Sequence, residues 1–109
     1  QFQAVHFMLA DMHAQIMAAR AMYLQTAWML DQHMPVNIEA AAAKFFTSDA
    51  AMKITTDAVQ LHAGAGFMKG SVVEKLMRDA KLTQIYEGTN QINRIVSGLG
   101  LLRRDSRLF

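Results

Sequence analysis

Apolar residues recur every three or four positions from the start of the chain: Phe2, Val5, Leu9, Met12, Ile16, Ala19, Tyr23, Ala27 and Leu30. That spacing predicts one long helix running to about Gln32. Phe7, Met8, Met17, Met22 and Trp28 fall off the stripe. The helix is therefore apolar on more than one side and is expected to be buried by more than one neighbour. Asp31 to Pro35 reads as a turn, because Pro35 pushes Met34 out of the helical region.

Asn37 is the expected N-cap of a second helix, with Glu39 near its positive end. That helix carries Ala40, Ala43, Phe45, Phe46, Ile54 and Val59 and ends near His62. Gly64 and Gly66 follow and suit a C-cap and turn. Ser71-Val72-Val73-Glu74 fits a capping box that opens a third, shorter helix through about Leu82. A last helix begins at Thr89, its expected cap, and carries Ile92, Ile95, Val96, Leu99 and Leu102. There is no repeat and no linker. The pattern predicts an all-α, up-and-down bundle of about four helices.

Composition narrows the class. A chain of 109 residues is one domain, and 52% hydrophobic content with a single Pro predicts a packed core rather than disorder. Nine Met and many Ala favour helix over strand. With no Cys there is no disulfide framework and no thiolate site, which is compatible with a reducing compartment. A net charge of +2 is too small to suggest a nucleic-acid partner. Much of it sits in Arg103, Arg104 and Arg107, which read as a solvated helix end. No apolar run approaches the roughly 18 residues that span a bilayer, and no signal peptide is visible. The chain opens on Gln1, already within a helical pattern, as expected of a piece of a longer protein.

The candidate chemistry centres on Ile85-Tyr86-Glu87-Gly88-Thr89-Asn90. It reads as a loop carrying one carboxylate between two helices, bending at Gly88. A carboxylate held on such a loop can be a general base, or simply a solvated acid beside a helix start. Gly64-Ala65-Gly66 and Gly70 do not form a dinucleotide fingerprint, since a helix precedes them and the spacing is wrong. They terminate a helix, or let a phosphate approach the backbone beside Gln60. His6 and His13 lie two turns apart, roughly 10.5 Å of rise, too far to share a metal. With His33 and His62 they are packing or surface residues, and no metal site is expected. No Gly-x-Ser-x-Gly elbow is present. The Met residues read as core filler, and Tyr23, Trp28, Phe45 and Phe46 as core first and ligand contacts second.

Several blocks together resemble a known family. Gln3-Ala4-Val5-His6-Phe7-Met8-Leu9-Ala10-Asp11-Met12, with Ala19-Arg20 beyond it, is similar to the opening helix of the C-terminal domain of the acyl-CoA dehydrogenases. Lys44-Phe45-Phe46 and Thr56-Asp57-Ala58-Val59-Gln60 resemble its second helix. Glu74 to Ala80 and Ile85-Tyr86-Glu87-Gly88-Thr89-Asn90-Gln91-Ile92 resemble its third helix, loop and last helix. Two departures stand out. Ala63-Gly64 replaces the usual Gly-Gly, and Met68 to Val72 lacks the proline often found there.

The resemblance implies that Glu87 is the base of the short- and medium-chain members. It would take the α-proton of an acyl-CoA thioester while the β-hydrogen leaves as hydride to FAD. It places Gly88 against the substrate. Thr89, Asn90 and Gln91 would lie at FAD, with Gln3 at the start of the first helix. Gln60, Leu61, His62, Ala63 and Gly64 would meet the adenosine end of an FAD belonging to a neighbouring subunit. It further implies a homo-oligomer, usually a tetramer, an electron-transfer flavoprotein as acceptor, and a bacterial cytoplasmic or mitochondrial matrix setting. The family's N-terminal helical and middle β-domains would lie outside these residues. The contrasting expectation is a free-standing helical bundle acting only in oligomerisation or partner binding.

Overall fold

The computed structural model describes residues 2–105, which form five helices: α1 (Gln3–Asp31), α2 (Asn37–Leu61), α3 (Ala63–Phe67), α4 (Val72–Thr83) and α5 (Asn90–Asp105). Helix α2 is the hub. Helices α1, α4 and α5 pack on it, and α3 fills the corner between α2 and α4. Helix α1 runs antiparallel to α2, since Ile16 and Ala19 lie near Ile54 while Met22 and Met29 lie near Ile38 and Ala42. Helix α5 starts against the middle of α2 at Ser48 and ends beside its first turn, where Gly100 meets Ile38.

The four predicted long helices are present, and the fifth was not expected. Gly64 and Gly66 do not end α2; they lie inside α3. The chain turns instead at Ala63, whose φ is +51°. Gly66 is needed for closeness. A Cβ there would stand 2.6 Å from the His62 Cβ and 2.9 Å from the Val59 carbonyl oxygen. The caps also differ. Val36, not Asn37, holds the N-cap position of α2, and it makes no side-chain cap bond. Ser71 does precede α4, yet its hydroxyl caps nothing, and Glu74 pairs forward with Arg78 instead of back toward Ser71.

The inward seam of α1 is another correction. The less exposed positions are Val5, Met8, Met12, Gln15, Ala19, Met22, Thr26 and Met29. They alternate by three and four, the narrow seam of a coiled coil against a single partner. Phe2, Leu9, Ile16, Tyr23 and Leu30 of the predicted stripe are exposed. Among the described residues helix α1 packs on α2 alone, so its outer face is exposed. Trp28 is 57% exposed and Phe46 37%, so neither is a core residue here.

The core is correspondingly thin. Its buried apolar members are Met12, Ala41, Ala43, Ala50 and Ala80. The radius of gyration is 17.0 Å, against about 13 Å for a compact chain of this length. The accessible surface is 8113 Å², against about 6,100 Å² for a compact monomer of this mass. No helix is long and apolar enough to cross a membrane among the described residues. Arg107 lies outside the described residues.

Candidate functional site

The loop between α4 and α5 carries the acid. Helix α4 unwinds through Ile85 and Tyr86, whose N–H groups both donate to the Leu82 carbonyl. The Asn90 N–H donates to the Gln84 carbonyl at 3.0 Å and closes the loop. Glu87 and Gly88 between them have φ of +54° and +83°. Glycine adopts that region freely. For a residue with a Cβ it costs about 1–2 kcal/mol, so something else must hold Glu87 there.

Two donors from different helices do so. Lys44 Nζ, from the middle of α2, donates to the Gly88 carbonyl at 2.7 Å. Asn93 Nδ2, from the first turn of α5, donates to the same oxygen at 2.8 Å. A hydrogen bond from a charged donor contributes roughly 1.5–3 kcal/mol, enough to offset the left-handed backbone. Thr89 accepts a long 3.4 Å bond from the Ile92 N–H, in the cap position predicted for it.

Beneath the loop lies a polar knot. The buried Asn90 side chain accepts from Lys44 Nζ at 2.7 Å and donates to Ser48 Oγ and Asp49 Oδ1, each at 2.7 Å. The opposite amide orientation would set its NH₂ against the ammonium, so the network fixes it. Gln84 Nε2 reaches Asp49 Oδ1 at 2.7 Å, and Arg94 reaches Asp49 Oδ2 at 2.5 Å. The Arg94 guanidinium also sits 4.5 Å over the Phe45 ring. Burial pushes the Asp49 carboxyl up. The hydrogen bonds from Arg94, Gln84 and Asn90, with the Arg94 charge, outweigh burial and leave it below its ordinary value. Among the described residues no buried side-chain oxygen or nitrogen lacks a partner. The knot ties α2, the end of α4 and the start of α5 together at the base of the acid loop.

Glu87 itself is exposed, and its carboxylate has no hydrogen bond or ion pair among the described residues. It is thus a free acid on a tightly held backbone. Gly88 is exposed beside it, and Thr89 is half-buried. In the first turn of α5 the Asn90, Ile92 and Asn93 N–H groups are bonded to Gln84, Thr89 Oγ1 and the Thr89 carbonyl. The exposed Gln91 keeps an open N–H there among the described residues, which fits a polar or anionic group of a dinucleotide. A shallow, open depression lined by Lys44, Thr47, Ala51, Thr83 and Tyr86 lies beside the loop.

The other expected contacts lie elsewhere. Gln60 and Leu61 end α2, His62 caps it through Nδ1 to the Ala58 carbonyl at 2.8 Å, and Ala63 and Gly64 open α3. Gln3 starts α1, which reaches this same end of the molecule. From Lys44 to Gln60 the axis of α2 rises about 24 Å. One chain therefore does not gather the Gln60 to Gly64 corner at Glu87. Gly64 has no positive φ, and a Cβ on it would meet nothing within 4 Å. Among the described residues no packing contact requires a glycine there. No group of three His, Cys, Asp or Glu that could hold a metal is found among the described residues.

Sequence reasoning did not assign a site role to Lys44, Ser48, Asp49, Gln84, Asn93 or Arg94. One signal was available. Lys44, Ser48 and Asp49 put polar groups on one face of α2, a helix otherwise lined inward by Ala41, Ala43 and Ala50.

Comparison with known proteins identifies the family and the fold. Residues 1–102 match the family model described as acyl-CoA dehydrogenase, C-terminal domain. The chain is 54% identical over 103 residues to the probable acyl-CoA dehydrogenase FadE25 of Mycobacterium tuberculosis, covering 94% of this chain and 26% of that protein. It is 50% identical over 99 residues to a cyclohex-1-ene-1-carbonyl-CoA dehydrogenase of Geobacter metallireducens, covering 90% and 26%. The structure of butyryl-CoA dehydrogenase from Megasphaera elsdenii superposes with a TM-score of 0.91 at 46% identity, covering 94% of this chain and 27% of that one. The chain thus spans about a quarter of the length of the curated relatives it matches.

Proposed function

The chain belongs to the acyl-CoA dehydrogenases, as their C-terminal domain, and on that footing we propose that it provides the base for α,β-dehydrogenation of an acyl-CoA to a trans-2-enoyl-CoA. Glu87 is that base. The observation that carries the reading is a carboxylate without a partner among the described residues, on a loop whose backbone is pinned by Lys44 and Asn93. A C–H next to a thioester carbonyl is a weak acid, so its base must be aligned and shielded from water. Here alignment comes from the backbone, and Gly88 allows the substrate to lie close.

The α-proton passes to a Glu87 carboxylate oxygen, and the C–H bonding pair becomes the new double bond as the β-hydrogen leaves. FAD supplies the two-electron acceptor for that hydrogen. Thr89 and Gln91, held in place by Asn90, fit the FAD of the same site, while Gln3, at the far end of α2, would contact the FAD met by the α2–α3 corner. Gln60, Leu61, His62, Ala63 and Gly64 serve an FAD in another copy, which makes the working form a homo-oligomer, a tetramer by family likeness. An electron-transfer flavoprotein is the expected acceptor, and a bacterial cytoplasm or mitochondrial matrix the expected setting. Two of the relatives named above are a butyryl-CoA and a cyclohex-1-ene-1-carbonyl-CoA dehydrogenase, so a series of thioesters is needed to find the acyl group taken here.

The test is anaerobic flavin bleaching of the intact parent protein by a series of acyl-CoA thioesters, with wild type and Glu87→Gln side by side. Bleaching in wild type that disappears in the variant supports the reading. Full turnover by Glu87→Gln removes Glu87 as the base. A colourless protein that no thioester affects leaves the alternative, a bundle acting only in oligomerisation or partner binding.

A further inference from the structure

We propose that Lys44 is a positioning residue for the proton abstraction: by binding the Gly88 carbonyl from α2, it fixes the left-handed turn that aims the Glu87 carboxylate. The proposal rests on the reading of Glu87 as base. Three observations carry it. First, the Glu87 side chain has no partner among the described residues, so only its backbone aims it. Second, the Gly88 carbonyl has two lone pairs, and Lys44 and Asn93 take both, at 2.7 and 2.8 Å from different helices. A carbonyl held from two sides fixes the plane of the Gly88–Thr89 peptide, and so anchors the turn directly after Glu87. Third, Lys44 has no carboxylate partner among the described residues. Its two bonds, to Gly88 and to Asn90 Oδ1, both go to the acid loop and the helix start behind it. An ammonium serving only to join helices would be expected to meet a counter-ion. This one is committed to a neutral carbonyl next to the reactive acid.

The experiment uses the intact flavoprotein with wild type, Lys44→Met, Glu87→Gln, the double variant and Asn93→Ala. Lys44→Met is expected to keep its flavin and its substrate Kd while the bleaching rate falls on the order of 100-fold, the usual effect of a misplaced reacting group. In the Glu87→Gln background the same change is expected to cause no further fall. Amide hydrogen exchange is expected to rise in residues 85–90 and stay unchanged in α1. Wild-type bleaching by Lys44→Met, with Glu87→Gln inactive, overturns the proposal and leaves the base intact. An equal fall with and without Glu87 also overturns it, because Lys44 then acts elsewhere. Active Glu87→Gln removes the base reading and this proposal with it. If Lys44→Met fails to fold as a flavoprotein, Asn93→Ala decides: a slower rate at full flavin content supports the clamp, and an unchanged rate overturns it.

Discussion

Asn90 and Ser48 bond to each other at 2.7 Å inside the protein although 42 residues separate them along the chain. Removing the Asn90 amide takes one bond each from Lys44, Ser48 and Asp49. Asn90→Ala is expected to destabilise the domain by about 2–3 kcal/mol, and Ser48→Ala by about 1 kcal/mol, because the helix can absorb the smaller loss. Urea unfolding with an unchanged m-value checks both. A loss under 0.5 kcal/mol for Asn90→Ala would show that the knot does not hold the helices together.

Gly66 and Gly64 sit in one short helix and should answer differently to a methyl group. Gly66→Ala forces a Cβ onto the Val59 carbonyl and the His62 Cβ, and is expected to cost about 1–3 kcal/mol. Gly64→Ala meets no atom of the described residues within 4 Å, so stability should hold. If an outside group lies against that backbone, flavin content of the purified parent protein should drop instead. Thermal unfolding and the ratio of flavin to protein absorbance separate the two effects.

The φ of Glu87 predicts a conflict between stability and activity. Glu87→Gly relieves the left-handed cost and adds back glycine's own entropy, for a net gain of about 0.5 kcal/mol. Glu87→Ala keeps the strain and should gain nothing. Both should be inactive in flavin bleaching. Equal melting temperatures for the two variants would mean that the loop relaxes out of the left-handed region.

Asp49 sets an acid limit. Its folded-state pKa lies below its unfolded value. The stabilisation it contributes is therefore complete above the ordinary aspartate value of about 3.9 and is lost as pH falls through the lower folded value. Wild-type stability should decline over that window, and Asp49→Asn should flatten the decline while lowering stability at pH 7. A parallel pair of stability curves from pH 6 to pH 2 would exclude Asp49 as the group responsible.

Local signals were legible in the sequence and distant ones were not. Pro35 announced the end of α1, Thr89 the start of α5, and Glu87-Gly88 the loop, because each acts within a turn of itself. The buried face of α1 was misread because the helix is apolar all round. Periodicity cannot choose between Leu9 and Met12 without knowing where α2 lies. Glycine was expected at the turn after α2, yet Ala63 makes it, and Gly66 serves close packing against Val59 and His62 instead. The pairs Lys44 with Gly88 and Asp49 with Arg94 join residues far apart in the chain, and only the packing of α4 and α5 on α2 brings them together.

The separation of the acid loop from the α2–α3 corner along one helix has a genetic consequence. If the corner serves a flavin held by another copy, then no site belongs wholly to one polypeptide. A copy with a damaged Glu87 and a copy with a damaged corner, each inert alone, would rebuild working sites when co-assembled. A cell carrying both defective alleles would then keep part of its activity, while a corner lesion in one allele would weaken sites whose own acid is sound.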